Sequence, residues 1–399
     1  MKAISFLGIR EYKHTCYTWQ GNEFSTHLFP EAFVHFVQPD KLYICLTPTA
    51  KDGNKSTNWQ ELRQRFDDQG VNYEVLTIPE GHSEEELWQI FQKLTDAVEE
   101  NEELYFDITH SFRSLPFLSF LAIAYLKAAK NVQVKGVLYG AHEARDDNNQ
   151  SPVFDLTAFV QLLDWLTAVN QFTATGNAEY LAKQLQTHHS DDLSQLAENV
   201  SQISLGLELL RPHHVAQAAY MLPTLLKGVK DQLPPPFLLV AQPLNSAYAQ
   251  FGISQNPSPQ EHLRVQLRMI NWYFEKRRYV QALSMAREWV VSFLCFEFGL
   301  DIWEKTYREE MELLLSGGTI KENDQVIKES PYLSKWKQYP YSKLLKRLWT
   351  DKSSGLANLR NDVLHSGFRK APLPIDEIIN RTQVIVDHIN EISNLKGLS

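Results

Sequence analysis

Over the first 140 residues, short apolar runs alternate with longer stretches whose apolar positions recur at helical spacing. The runs 3–8, 41–47, 72–78, 104–108 and 132–138 predict strands, and 83–100 and 113–129 are the clearest helices between them. Short apolar strands separated by helices predict a mostly parallel sheet covered on both faces, an α/β Rossmann-like domain over residues 1–150. Past Asp155 the strand signal fades. Residues 156–230 read as several helices, and 231–260, with Leu233-Pro234-Pro235-Pro236 and three further prolines, as a linker. Together 151–260 form a helical connecting region. Residues 261–399 read as an all-α domain: long helices over 261–315, a polar insertion loop over 316–339, then helices over 341–349, 355–365 and 375–395.

Length supports this division, because 399 residues exceed one comfortable core. The net charge of −9 argues against a general nucleic-acid binder, but its distribution changes the picture. Residues 261–399 carry 21 Lys and Arg against 18 Asp and Glu, whereas the rest carry 18 against 30. A long RNA should therefore prefer the C-terminal part. The acidic N-terminal domain can still hold a small anion where a few cations and backbone N–H groups converge. Cys16, Cys45 and Cys295 form no CxxC pair, so neither a disulfide framework nor a zinc ribbon is expected. No apolar run reaches bilayer length, and the first residues read as a buried strand rather than a signal peptide; a cytoplasmic protein without membrane contact is expected.

The segment Asp107-Ile108-Thr109-His110-Ser111-Phe112-Arg113-Ser114-Leu115-Pro116 leaves the fourth predicted strand and enters a helix. Ser111 or Ser114 can cap that helix and Pro116 suits its first turn. Free backbone N–H groups, hydroxyls, His110 and Arg113 then meet at a helix N-terminus, where anions are favoured. Other strand ends point to the same edge of the sheet, where ligands of such folds sit. They are Gly8-Ile9-Arg10-Glu11-Tyr12-Lys13, Thr47-Pro48-Thr49-Ala50-Lys51 and Tyr139-Gly140-Ala141. Ordinary polar loops of an α/β domain would look much the same. Neither GxGxxG after the first strand nor GxxxxGK[ST] is present, so a dinucleotide or ATP site is not supported.

Near the other end stands Arg360-Asn361-Asp362-Val363-Leu364-His365. Metal-independent RNA cleavage uses the neighbouring 2′-OH as nucleophile and needs proton transfer and a cation for the crowded phosphorane. His exchanges protons near neutral pH, and Arg, always charged, holds phosphate. The spacing alone arises by chance in roughly every second chain of this composition, so a surface helix bearing an Arg and a His is the plain alternative. On a helix, Asn361 and His365 share a face, whereas positions five apart lie about 140° apart. Arg360 must then reach around or meet a second subunit.

The run Phe6-Leu7-Gly8 with Tyr12-Lys13, the Asp-x-Thr-His-x-x-Arg-Ser-x-Pro pattern of 107–116, Tyr139-Gly140-Ala141 and Phe154-Asp155-Leu156-Thr157 resemble CRISPR-associated Csx-type proteins with CARF domains, over residues 1 to about 175. That family usually has Gly where Ser111 stands. The Arg-Asn-x-x-x-His run resembles the HEPN ribonuclease motif, Arg, four to six residues, then His. The resemblance implies a homodimer, or a higher even oligomer, activated by a cyclic oligoadenylate. An even ring such as cyclic tetraadenylate suits a two-fold site. It implies ligand contacts from Gly8, Arg10, Tyr12, Lys13, Thr47, Thr49, Asp107, Thr109, His110, Ser111, Arg113, Tyr139 and Gly140. It also implies cleavage of single-stranded RNA by Arg360, Asn361 and His365 without metal or other cofactor, with Glu288 as an acidic support.

Rival readings are a ring nuclease that degrades its own activator through His110, Ser111 and Arg113, a non-catalytic CARF regulator, for which no basic recognition helix is evident, and an inactive HEPN scaffold. His188-His189 and His213-His214 are adjacent pairs that point about 100° apart on a helix and rarely share a metal, and His14-x-Cys16 is an equally poor ligand set. Lys276-Arg277-Arg278 and the basic stretch 343–347 read either as RNA guides or as solvated faces.

Overall fold

Strand order, more than strand number, determines where this protein can bind a ligand. The computed structural model describes residues 1–53, 57–110, 115–187, 190–232, 235–323, 325–351, 355–368 and 370–398, with 235–240 described through the backbone alone. Two compact units divide at Asp164/Trp165.

The first unit contains β1 (Lys2–Phe6), β2 (Thr15–Trp19), β3 (Asn22–Thr26), α1 (Phe29–Val37), β4 (Lys41–Leu46), α2 (Pro48–Asp52), α3 (Thr57–Gln69), β5 (Tyr73–Thr77), α4 (Glu84–Asp96), β6 (Glu103–Asp107), α5 (Leu115–Lys130), β7 (Gln133–Gly140) and β8 (Gln150–Asp155). The sheet order is β3-β2-β8-β7-β6-β1-β4-β5. The five strands β7, β6, β1, β4 and β5 run parallel, as expected from their apolar runs. One apolar layer, with Ile4, Phe6, Leu104 and Phe106, packs under α4 and α5; the other, with Ala3, Leu42, Ile44 and Leu46, packs under α1 and α3. Alternating strand residues thus feed opposite cores.

Three strands of this first unit went unseen in the sequence. β2 and β3 form an antiparallel hairpin around Gln20-Gly21, both with positive φ, the backbone that a two-residue turn between twisted strands demands. β8 runs antiparallel to β7 and parallel to β2, so the sheet continues to Asp155. Gly140, at the end of β7, is fixed by packing. A Cβ there would lie 2.4 Å from Phe29 Cδ2 and 2.8 Å from Tyr17 Cε1. Gly140→Ala should therefore lower stability by about 1–3 kcal/mol, the usual range for an overpacked core. A urea titration checks this, and an unchanged midpoint would contradict the close packing.

The second unit is helical. Its start lies within α6 (Thr157–Thr175), followed by α7 (Glu179–Gln186), α8 (Asp191–Glu208), α9 (Pro212–Gly228), α10 (Pro235–Tyr248), α11 (Pro259–Glu275), α12 (Tyr279–Phe298), α13 (Lys305–Leu315), the hairpin β9 (Thr319–Glu322) and β10 (Gln325–Glu329), α14 (Leu333–Gln338), α15 (Ser342–Thr350), α16 (Leu356–Leu364) and α17 (Ile375–Leu395). Two expectations need correction. The stretch 231–260 is mostly helix, because Pro235 and Pro236 open α10, where a missing N–H costs nothing. The insertion 316–339 is a short antiparallel hairpin followed by a helix rather than a loop. Trp289 is fully buried in α12 and donates its indole N–H to the Leu263 carbonyl (2.9 Å), tying α12 to α11. Among the described residues, no helix is long and apolar enough to cross a membrane.

Candidate functional site

β1 sits between β6 and β4; after the β2–β3 hairpin at the far edge of the sheet, the chain enters β4 on one side of β1 and later returns on the other side as β6. Such a reversal opens a crevice beyond the carboxyl ends of the strands. A cavity of about 370 Å³ lies there, within the ~300–1,000 Å³ range of small-ligand clefts. Four strand ends line it. Leu7, Gly8, Ile9, Arg10 and Tyr12 follow β1, and Thr47, Thr49 and Ala50 follow β4. Glu80 and His82 follow β5, and Thr109 and His110 follow β6.

Each loop is held by its own polar contacts. Tyr12 turns back so that its hydroxyl accepts the Gly8 N–H (3.2 Å), and its ring stacks on His110 with centroids 3.6 Å apart. A Cβ on Gly8 would lie 2.9 Å from that hydroxyl, so glycine is what permits the return. Asn58 on α3 donates to the carbonyls of Gly8 (2.9 Å) and Arg10 (2.7 Å) and fixes the loop from outside. Thr47 caps α2 by accepting the Ala50 N–H, and Glu80 accepts the Thr49 N–H at 2.9 Å.

Beneath the cavity, Asp107 is fully buried. It accepts the Ser5 hydroxyl (2.5 Å) and the Thr109 N–H (2.7 Å), and the Thr109 hydroxyl in turn accepts the Gly140 N–H (2.8 Å). Burial outweighs these hydrogen bonds and pushes the Asp107 carboxyl up to about 6. His110 is shifted the opposite way. Burial, with lesser repulsion from His27 and His142, pushes it down to about 3, so its ring is neutral at physiological pH. Its Nε2 accepts the Phe29 N–H at 3.1 Å, which assigns the ring proton to Nδ1. His110 is therefore a neutral stacking partner and not a cation. At Glu80, partial burial opposes ionisation, but donors from Thr49 and Thr47 win and hold the carboxyl below its ordinary range.

Of the residues expected at this site, Gly8, Arg10, Tyr12, Thr47, Thr49, Thr109 and His110 line the cavity. Lys13 is exposed outside it, Asp107 lies below it, and Tyr139, hydrogen-bonded to Glu143, and Gly140 do not line it. Ser111 and Arg113 lie outside the described residues, as do His188 and His189. Sequence reading missed Glu80 and His82. The signal was available: the 72–78 strand runs into Pro79-Glu80-Gly81-His82, a polar turn at the same sheet edge.

In the second unit, Arg360 and Asn361 stand on α16 and His365 is the residue that ends it, its N–H donating to the Asn361 carbonyl at 3.0 Å. Arg360 is half-buried, Asn361 and His365 are exposed, and Arg360 Nη1 donates to Asn361 Oδ1 at 3.2 Å. Among the described residues Arg360 pairs with no carboxylate, and its buried Nε has no hydrogen-bond partner. Positive φ at Ser366 and Gly367 turns the chain directly after His365. Glu288 is occupied elsewhere: its two oxygens accept from Arg287 and Arg308, both at 2.6 Å. Arg287 also bonds Glu312 (2.8 Å) and lies 5.4 Å from the Trp349 ring centre, which makes the cluster a brace between α12, α13 and α15.

Residues 2–143 match the family model of the CRISPR system endoribonuclease Csx1, CARF domain, and residues 161–255 that of the CRISPR-associated protein MJ1674, second domain. A curated relative, the CRISPR-associated protein MJ1674 of Methanocaldococcus jannaschii, is 29% identical over 157 residues, 39% of this chain. The match spans 24% of that protein's length. Among solved structures, Enterococcus italicus Csm6 bound to cyclic hexa-2′-fluoro-hexa-dAMP is similar with a TM-score of 0.50 at 10% identity, over 98% of this chain and 92% of that one. That likeness is one of fold. The N-terminal α/β domain is thus of the CARF type, followed by a helical C-terminal region.

Proposed function

We propose that this CRISPR-associated chain senses a cyclic oligoadenylate through its CARF domain and responds by cutting single-stranded RNA with its C-terminal helices. The observation that carries the reading is the convergence of four strand ends on one cavity at the switch point of a CARF-type sheet. The cavity combines what a nucleotide needs: the Arg10 guanidinium, hydroxyls of Thr47, Thr49 and Thr109, and a stacked aromatic pair. Csm6, whose fold is similar, carries a cyclic adenylate analogue, which makes this ligand class the first to test.

The nuclease half of the proposal rests on Arg360, Asn361 and His365. A partly desolvated guanidinium with an unfilled donor suits a phosphate, and an exposed His five residues on is free to move protons. Such a site is completed across a two-fold axis. The homodimer is supported by an apolar stripe on the first unit. On α5, Phe117, Leu121 and Tyr125 recur every four residues and are 69, 43 and 47% exposed, beside Trp88 on α4 at 65%. No charged side chain interrupts α5 before Lys127, which is paired with Asp164. Patches of this kind mark protein interfaces.

Calorimetric titration with each cyclic oligoadenylate tests the sensing half. The protein should bind one ring size, and Arg10→Ala should weaken that binding about tenfold, the effect of one charge-assisted hydrogen bond near solvent. A protein that binds none of the rings rejects the reading.

A further inference from the structure

We propose that Glu80 reads the base of the bound nucleotide, its carboxylate accepting a hydrogen bond from the exocyclic amino group of adenine. The inference rests on the cyclic oligoadenylate reading of the same cavity and adds what selects the base.

The cavity has two kinds of wall. Arg10 supplies a cation and the Thr47, Thr49 and Thr109 loops supply hydroxyls, groups that suit phosphate and sugar. Among the described residues that line the cavity, Glu80 is the one carboxylate. Its carboxyl is held below the ordinary range and stays ionised, and the Thr49 N–H donates to it at 2.9 Å. That backbone donor ties it to the start of α2 at the cavity wall. An ionised carboxylate repels phosphate and accepts only. Whatever part of the ligand touches Glu80 must therefore be a donor.

A cyclic adenylate carries few donors. Its phosphates are acceptors, and its adenine offers one donor group on the hydrogen-bonding edge, the N6 amino group. The 2′-hydroxyl is the other donor. The amino group is favoured by the surroundings. The β5 end that bears Glu80 and the β6 end that bears His110 both face the cavity, and the stacked Tyr12–His110 pair gives a flat, uncharged surface on which a base can rest. Because a carboxylate has about four lone-pair sites, it can accept the ligand's N–H beside its protein donors.

The test uses two rings of the size that the protein binds: the adenylate ring, and its counterpart built on purine riboside, in which hydrogen replaces the 6-amino group. Calorimetry on the full chain reads the affinity ratio of the two. The unmodified protein should prefer the adenylate ring by about 10–100-fold, the worth of a hydrogen bond to a charged group. In Glu80→Ala the ratio should fall to about one, and in Glu80→Gln, which keeps an uncharged acceptor, to about tenfold or less. The ratio is taken within each variant, so a general loss of affinity from a disturbed Thr49 loop cancels. The Gln variant supplies the result if the Ala variant does not fold. Equal affinity for both rings in the unmodified protein, or a ratio that survives both substitutions, overturns the inference and leaves the parent reading standing. Failure to bind either ring overturns both.

Discussion

His365→Ala should reduce activator-stimulated RNA cleavage by about 10²–10⁴-fold while leaving activator affinity unchanged, because removal of a general acid or base commonly has that effect. In the proposed reaction the 2′-hydroxyl oxygen attacks the adjacent phosphorus, the bond to the leaving 5′-oxygen breaks, and the proton lost by the first is returned to the second. His365 stands where its ring meets solvent, at the end of α16 and before the turn at Ser366-Gly367. Arg360, held toward Asn361 on the same helix, offsets the charge that develops on the phosphorane oxygens. DNA, lacking the nucleophile, should be inert. A chelator should not slow the reaction, and the products should end in a 2′,3′-cyclic phosphate and a 5′-hydroxyl. Cleavage of a fluorescent RNA at saturating cyclic oligoadenylate, with a chelator present, is the assay. Equal rates for the His365→Ala variant and the unmodified protein would place the chemistry elsewhere.

Asp107→Asn should change how stability depends on pH. The Asp107 carboxyl is fully buried and raised from an ordinary 3.8 to about 6. A group raised in the folded state favours folding when protonated. Its contribution is therefore complete below about pH 4 and is lost as pH rises through about 6. The displacement corresponds to about 3 kcal/mol. Asn at this position keeps an oxygen for the Thr109 N–H and can donate to the Ser5 hydroxyl, so the buried hydrogen bonds survive without the charge. Relative to Asp107→Asn, the unmodified protein should lose about 3 kcal/mol of unfolding free energy between roughly pH 3 and pH 7. Urea titrations of both proteins across that range measure the difference, in which other titrating groups cancel. A constant difference would mean that Asp107 titrates alike in the folded and unfolded chain.

The parallel centre of the sheet was legible because its strands are buried on both faces and read as continuous apolar runs, such as Leu42 to Leu46. The hairpin was not, because β2 and β3 are only five residues each, lack both a continuous apolar run and a regular alternation, and bury only Thr15, Tyr17 and Thr26 fully. Gln20-Gly21 was its one local signal. β8 escaped notice because Pro152 interrupts it and its neighbours in the sheet come from distant sequence. At the cavity, residues next to an evident motif were found, among them Gly8, Tyr12, Thr109 and His110. Glu80 and His82 were missed because no motif marks them; only the sheet order brings the β5 end beside the β1 end. His110 shows the limit from the other side. Its presence was readable, whereas its neutrality depends on burial and on the Phe29 N–H, which only the fold supplies.

The position of the β2–β3 hairpin also bears on how the chain acquires its fold during synthesis. Thr15 to Trp19 emerge early, but the parallel neighbour of β2 is β8, where Cys16 is paired with Gln150. The four strands that line the cavity, β1, β4, β5 and β6, are complete by Asp107 and neighbour one another. The hairpin must wait, unpaired on one edge, until more than a hundred further residues have left the ribosome, and contacts between such distant segments form slowly. Closure of the sheet edge is therefore the late step of the N-terminal domain, and a nascent chain paused before β8 presents an open strand edge of the kind that templates pairing with other chains.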